Sequence, residues 1–209
     1  MPHESHEPHE TSDEAARVRE FFAARAARWD ARFPDDGPAY EAAVGELGLS
    51  KGDFVLDAGC GTGRALAPLR AAVGRDGTVL GVDLTPEMLA EAVRAGRLAD
   101  GRMLLADACR LPLRDAALDA VFAAGLVSHL AGPGTGLREL ARVVRPGGTL
   151  ALFHPVGRAA LAERQGRVLT PDDIRAEPNL RALLAGSGWR LTSLDDGEDR
   201  YLALATRTG

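Results

Sequence analysis

Apolar positions along the chain change period several times, and each change marks an element. Asp13 reads as a helix N-cap, and Val18, Phe21, Phe22, Ala26 and Trp29 follow at helical spacing, which predicts an amphipathic helix with one aromatic face. The turn-rich run Phe33-Pro34-Asp35-Asp36-Gly37-Pro38 ends it, and Tyr40, Val44 and Leu47 then line one side of a second short helix over 39–47. Beyond it, short apolar runs alternate with helical stretches. The runs 54–56, 78–82, 102–106, 118–124 and 149–153 read as buried strands. Helices are predicted over 65–73, 85–98 and 136–144. The middle one opens on Thr85-Pro86-Glu87, an N-cap followed by proline and an acid. A short helix over 159–165 follows, and a second helical stretch opens at Thr170-Pro171-Asp172-Asp173 and is interrupted at Pro178. Strands over 189–194 and 200–206 close the chain as a hairpin around Asp195-Asp196-Gly197-Glu198. Strands alternating with helices imply an α/β fold on a mostly parallel sheet, to which the hairpin adds an antiparallel last strand. There is no internal repeat and no second core, so residues 13–209 are expected to form one domain: a helical segment over 13–50 and an α/β core over 53–209.

Composition narrows the setting. A chain of 209 residues can bury a sizeable single core, and 45% hydrophobic with 26% charged residues is ordinary for a globular domain. The net charge of −5 offers no electrostatic draw on nucleic acid, and none is expected as a partner. Lys51 is the only lysine; arginine dominance together with abundant alanine matches a GC-rich coding bias, so the arginines carry no functional weight at this stage. Cys60 and Cys109 make no disulfide framework and lack metal-ligand spacing, which points to a reduced, cytoplasmic compartment and no metal. Residues 1–12 alternate His and Glu and cannot bury enough apolar surface to order themselves, so a disordered tail is expected there. No apolar run is long enough to span a bilayer, and the N-terminus lacks the apolar core of a signal peptide.

The chemistry concentrates in Val55-Leu56-Asp57-Ala58-Gly59-Cys60-Gly61-Thr62-Gly63-Arg64. A strand runs into an acid, and three glycines at alternate positions make a tight strand-to-helix turn that lets a ligand approach the backbone. A dinucleotide turn has the spacing G-x-G-x-x-G and presents a helix N-terminus to a pyrophosphate. Here the carboxylate of Asp57 stands where a pyrophosphate would be repelled, which suits an ammonium or sulfonium instead. Asp83 ends the second strand, twenty residues after Gly63, where an acid can accept both hydroxyls of a ribose.

The pattern acid-x-Gly-x-Gly-x-Gly resembles motif I of the class I S-adenosylmethionine (SAM)-dependent methyltransferases, small-molecule enzymes of the methyltransferase type 11 and ubiquinone/menaquinone-biosynthesis kind. Two later stretches strengthen the resemblance. Asp107-Ala108-Cys109-Arg110-Leu111-Pro112 is similar to the family's D-A-x-x-L-P after the third strand. Leu137-Arg138-Glu139-Leu140 through Arg145-Pro146-Gly147-Gly148 is similar to the signature before the fifth, where the Pro-Gly-Gly turn reverses the chain at the base of the sheet. The resemblance implies a Rossmann-like seven-stranded sheet with helices on both faces and an N-terminal helical lid. It also implies SAM as cofactor, with S-adenosylhomocysteine (SAH) as product.

By the same resemblance, Asp57 and the Gly59 carbonyl meet the methionine ammonium, and Gly61 lies in the turn. Asp83 holds the ribose, Leu84 and Met88 pack on the adenine side, Asp107 and the Ala108 amide read the adenine edge, and Gly125 faces the methyl. Trp29 is a candidate lid aromatic, with core packing as the other reading; Met88 has the same two readings. His129 is either a general base or a residue that holds its loop. His154 either faces the acceptor, with Arg158, or caps the turn that follows it. Ala123-Ala124-Gly125-Leu126 lacks the Asn/Asp-Pro-Pro-aromatic run that nucleic-acid amino-methyltransferases place at this strand tip. The implied activity is methyl transfer to a small-molecule acceptor, with oligomeric state undetermined. A SAM-binding regulatory protein without methyl transfer is the alternative, and it would present a closed wall at His154. A nicotinamide enzyme would want the G-x-G-x-x-G turn and a Tyr-x-x-x-Lys pair, and neither Tyr40 nor Tyr201 has such a lysine.

Overall fold

The computed structural model describes residues 7–209 and is a three-layer α/β domain built on a seven-stranded sheet. The strands are β1 (Phe54–Ala58), β2 (Thr78–Asp83), β3 (Arg102–Leu105), β4 (Leu118–Ala124), β5 (Val144–His154), β6 (Trp189–Asp196) and β7 (Tyr201–Arg207), in the order β3-β2-β1-β4-β5-β7-β6. The first five run parallel, and β7 pairs antiparallel with both β5 and β6. The seven-stranded, mostly parallel sheet and its antiparallel last strand are therefore as expected.

Each face of the sheet carries its own core, because alternate residues of a strand point to opposite sides. On one side Val55, Val79, Ala120, Phe122, Ala151 and Phe153 meet helices α3 (Gly37–Glu46) and α4 (Leu66–Val73). On the other, Leu56, Val82, Val121, Leu150 and Leu152 meet α6 (Pro133–Val143) and α8 (Glu177–Ala185). Trp189 anchors this second layer: it is buried, and its indole N–H donates to the Leu137 carbonyl at 2.8 Å.

Several boundaries differ from the sequence reading. The first helix, α1 (Glu7–Ala23), begins six residues before Asp13, so the part of the expected tail at 7–12 is helical; residues 1–6 lie outside the described residues. The chain does not continue as one helix to Phe33. It breaks into a 3-10 turn (Ala26–Arg28) and a single helical turn, α2 (Trp29–Arg32). Helix α5 (Pro86–Arg94) stops at Gly96 in a left-handed conformation, earlier than Leu98. The Pro-Gly-Gly turn lies within β5 as a register shift: Leu118 pairs with Val144, whereas Ala120 pairs with Thr149. Helix α7 (Arg158–Arg164) is as expected, but residues 170–176 are not helical. Pro178 does not interrupt a helix there; it sits in the first turn of α8, where its missing N–H costs nothing.

Candidate active site

The strand order reverses between β1 and β4, which makes the crevice beyond their carboxyl ends the topological switch point. The chain leaves β1 through Gly59, Gly61 and Gly63, with φ of 68°, 53° and 81°, values that side-chain-bearing residues rarely adopt. The turn is closed by Cys60 N–H on the Val82 carbonyl at 2.9 Å and Gly63 N–H on the Cys60 carbonyl at 2.7 Å. It leaves β4 through Gly125, also at positive φ, whose N–H donates to Phe153 at 2.8 Å. A Cβ placed on Gly61 or Gly125 would meet nothing within 4 Å, so both present bare backbone to open space. At Gly59 a Cβ would meet the Leu126 side chain at 2.9 Å. A cavity of about 1080 Å³ lies over these turns, and every site residue proposed from the sequence except Arg158 lines it: Trp29, Asp57, Gly59, Gly61, Asp83, Leu84, Met88, Asp107, Ala108, Gly125, His129 and His154.

Three carboxylates are spaced along one wall, and their partners differ. Asp57 lies on the α3/α4 face of β1, 1% exposed, with Oδ2 lacking any hydrogen-bond partner among the described residues. Burial, reinforced by the charge of Asp83, pushes its carboxyl up to about 8. Asp83 is more engaged than a ribose acceptor needs to be: Oδ2 accepts the Gly61 N–H and Oδ1 the Thr85 N–H, both at 2.8 Å. It thereby ties the glycine turn to the start of α5, and each oxygen keeps a second lone pair. Burial still raises its pKa above the ordinary carboxylate range, against those amides. Asp107 accepts the Cys109 N–H at 2.8 Å, which folds the chain so that Ala108 lines the same cavity. Met88 is both core and wall: 1% exposed, yet bordering the cavity. Cys109 is no nucleophile, since burial and the neighbouring Asp107 push its thiol up to about 12.

The N-terminal segment covers this cleft through an aromatic chain. Phe22 meets Trp29 at 5.5 Å between centroids and Trp29 meets Phe33 at 5.2 Å; Phe22 also packs edge-on against His129 at 5.0 Å. Polar contacts fasten it to the glycine turn. Asp30 accepts the Thr62 hydroxyl at 2.6 Å and pairs with Arg97 at 2.7 Å, and Arg97 also donates to the Thr62 carbonyl. Arg64 donates to the Phe33 carbonyl and faces Asp36 at 3.5 Å. The Tyr40 ring packs on Phe153 at 5.0 Å, with the Arg64 guanidinium 5.4 Å from its centroid. Sequence reasoning missed this set. Thr62 and Arg64 sit inside the glycine motif itself and carried a readable position; nothing in the pattern marked Asp30 or Arg97 as their partners.

The far end of the cavity holds both histidines. His129 lies in a 3-10 turn after Gly125, and its imidazole has no hydrogen-bond partner among the described residues. Burial and then the charge of Arg175 lower its pKa, so it stands neutral at pH 7. His154 Nδ1 lies 2.8 Å from the Val156 carbonyl and 3.1 Å from the Val156 N–H, within reach of the turn that follows it. The ring also lines the cavity, and burial lowers its pKa as well, with a smaller push from Arg175. Arg158, a candidate for the acceptor, is instead committed to Asp196 at 2.8 Å.

The cleft offers a ligand the unpartnered Asp57 oxygen, which suits a cation, and acceptor oxygens at Asp83 and Asp107, which suit hydrogen-bond donors. Beside them the bare backbone of Gly61 and Gly125 allows a close approach. Residues 56–152 match the family model described as a methyltransferase domain. That stretch of the chain is a methyltransferase domain. A methyltransferase of Streptomyces halstedii, GfsG, is 34% identical over 161 residues, 72% of this chain and 57% of that protein. The 27-O-demethylrifamycin SV methyltransferase of Amycolatopsis mediterranei is 37% identical over 131 residues, 58% of this chain and 47% of that protein. Among solved structures, a SAM-dependent methyltransferase from Aquifex aeolicus superposes with a TM-score of 0.68 at 27% identity, covering 81% of this chain and 89% of that one. The chain spans about half the length of the curated relatives it matches. SAM is the cofactor of this methyltransferase fold. No helix among the described residues is long and apolar enough to cross a membrane, and none of their side chains group as a metal site.

Proposed function

We propose that this domain transfers a methyl group from SAM to a small-molecule acceptor. The observation that carries the reading is the buried, unpartnered Asp57 oxygen at the switch point, in one continuous cavity with His129 and His154. At about 1080 Å³ the cavity exceeds the usual range for one drug-sized ligand, which leaves room for a second molecule. An open chamber at His154 weighs against a SAM-binding protein with no acceptor site. The 27-O-demethylrifamycin SV methyltransferase among the relatives supports an acceptor of small-molecule type.

When bound, the cofactor supplies a methyl group on a positively charged sulfur, electrophilic without further activation. The residues of the chain then bind, orient and exclude water. Asp57 and the Gly59 carbonyl take the ammonium. Asp83 takes the ribose hydroxyls on its spare lone pairs, Asp107 and the Ala108 amide take the adenine edge, and Leu84 and Met88 flank the ring. Gly125 leaves the space in front of the methyl free, and Trp29 with Phe22 closes it from solvent. Holding nucleophile and methyl in line supplies several kcal/mol of the barrier, on the order of 7–11 in favourable cases. His129, neutral at neutral pH, is poised to accept the proton of a hydroxyl acceptor at its unpartnered ring nitrogen. His154 supports the turn beside it. The two unpaired cysteines support a reducing, cytoplasmic setting.

Calorimetric titration with SAM and SAH tests the donor site, and failure of both to bind refutes the reading. Transfer of labelled methyl from SAM across a panel of phenols, carboxylic acids and amines tests the activity. With an acceptor in hand, His129→Ala is expected to lower kcat about 100-fold or more while leaving SAH affinity within twofold; unchanged turnover would leave His129 a loop residue.

A further inference from the structure

The cavity has a cation at its far end that the donor half does not use. Arg175 lies in the segment between α7 and α8, in the wall that also carries His154 and Tyr201. The chain fixes its backbone tightly: its N–H donates to Asp173 Oδ1 at 2.8 Å, and its carbonyl accepts the Tyr201 hydroxyl at 3.0 Å. Its side chain is only 14% exposed, yet its guanidinium is poorly matched. Nε and one terminal nitrogen reach Asp173 at 3.4 Å each, beyond the 2.7–2.9 Å of a good guanidinium–carboxylate pair. Asp173 is also shared with Arg158 at 3.5 Å. The other terminal nitrogen, Nη1, has no hydrogen-bond partner among the described residues, and Arg175 lines the cavity. Nearby, both imidazoles sense its charge. Apolar walls flank the approach: Phe21, Val168 and Leu169 are exposed large hydrophobic residues bordering the same opening. A half-buried planar cation, with one edge free and apolar surface beside it, is built to receive a planar anion on an apolar body.

We propose that Arg175 anchors a carboxylate of the methyl acceptor, so that the acceptor is an amphipathic organic acid whose nucleophile lies beside His129. This rests on the methyltransferase reading and deepens it by assigning the acceptor's chemical class. Arg175 is a binding residue here: its fork takes the carboxylate, its distance from the glycine turns sets how far along the molecule the nucleophile lies, and Phe21, Val168 and Leu169 take the apolar part.

The test uses the full chain saturated with SAH and two matched probe pairs, 4-hydroxybenzoate with 4-hydroxybenzamide and octanoate with octanamide, titrated by calorimetry or ligand-observed NMR. Each acid is expected to bind about 10- to 100-fold more tightly than its amide, the range for one charge-assisted hydrogen-bonded pair. In Arg175→Met that preference should fall to within about twofold while SAH affinity is unchanged. Arg175→Lys, which keeps the charge but loses the fork, should retain part of it. SAH affinity reports that each variant is folded, and it separates the two levels of argument: if SAH does not bind the wild type, the methyltransferase reading fails. If SAH binds but acids and amides bind alike, if no acid binds, or if the preference survives in Arg175→Met, the anchor is wrong and the donor site stands.

Discussion

Asp57 should act on stability and on binding with opposite signs. Its carboxyl is pushed up to about 8 by burial and by Asp83, from an ordinary value of 3.8. A raised carboxyl costs the folded state nothing below the unfolded pKa. As pH rises past about 4, the unfolded chain gives up the proton first, and the penalty grows until the folded group ionises near 8, where it levels off. At pH 7 this amounts to about 4 kcal/mol against folding, three pH units of linkage at about 1.4 kcal/mol each. Asp57→Asn removes that penalty and introduces a buried amide N–H₂ with no acceptor, which costs about 1–3 kcal/mol. The net is a ligand-free protein more stable by about 1–3 kcal/mol, a Tm rise of roughly 2–10 °C for a chain this size.

Binding moves the other way. The ammonium of SAH requires the ionised carboxylate, so wild-type affinity should climb with pH between 6 and 8, by up to tenfold per unit. Asp57→Asn should lose that slope and bind SAH about 10- to 1,000-fold more weakly at pH 8, the cost of truncating a buried charge pair less what the wild type spends on deprotonation. Thermal denaturation without ligand and calorimetry with SAH, across that pH range, read both effects. A variant that loses stability along with affinity would make Asp57 a structural residue, and an unchanged SAH affinity would refute the ammonium contact.

Further outcomes follow from contacts around the cleft. Asp30→Ala removes the acceptor of Thr62 and the partner of Arg97; because the pair is partly solvated, stability should fall by no more than about 1 kcal/mol, while proteolysis within 7–36 accelerates and SAH dissociates faster. Equal proteolysis rates would mean the aromatic chain alone holds the segment. Gly157→Ala would put a Cβ 1.6 Å from the Gly197 carbonyl oxygen and should cost about 3 kcal/mol or more in urea unfolding, whereas Gly61→Ala, with nothing within 4 Å, should cost only about 1 kcal/mol of backbone strain and show itself in SAH affinity. Asp119 accepts the Phe54 N–H and an Arg145 N–H at 2.7 Å each; burial opposes ionisation, but these donors outweigh it and hold the carboxyl below its ordinary range. Its contribution is therefore present above about pH 4 and lost as pH falls through the lower folded value, and Asp119→Asn should flatten the acid limb of the stability profile at a cost of about 1 kcal/mol at pH 7.

The sequence by itself determined the layering and the donor half of the cleft, since both depend on local rules. Apolar runs of strand length between helical periods admit a parallel sheet and little else, and β4 at Leu118–Ala124 was legible to the residue. Asp57, the glycines, Asp83 and Asp107 all stand at strand tips. Once the strands are parallel, their carboxyl ends share one edge, so residues far apart in sequence are brought together by topology alone. Boundaries set by competition between local signals were not legible. Thr170-Pro171-Asp172-Asp173 announces a helix start and Pro178 reads as its interruption, and only packing of Leu180 and Leu184 against the sheet makes Pro178 the first turn of a helix instead.

What only the tertiary structure decided is which charges meet. Reading the arginines as coding bias left Arg64, Arg97 and Arg175 without a role, because a guanidinium is reached through a long flexible stem and its partner lies at no fixed sequence offset: Arg64 is 31 residues from Phe33 and Arg97 is 35 from Thr62. The same holds for protonation. Asp57 and Asp119 are each a single acid in or beside a strand, but one is sealed without a donor and the other receives two, so their pKa values move in opposite directions. Side-chain identity is local, whereas solvation and partnership are properties of the packed fold, and it is these that give the cavity over a glycine motif an unpartnered carboxylate oxygen in one wall and a guanidinium in another.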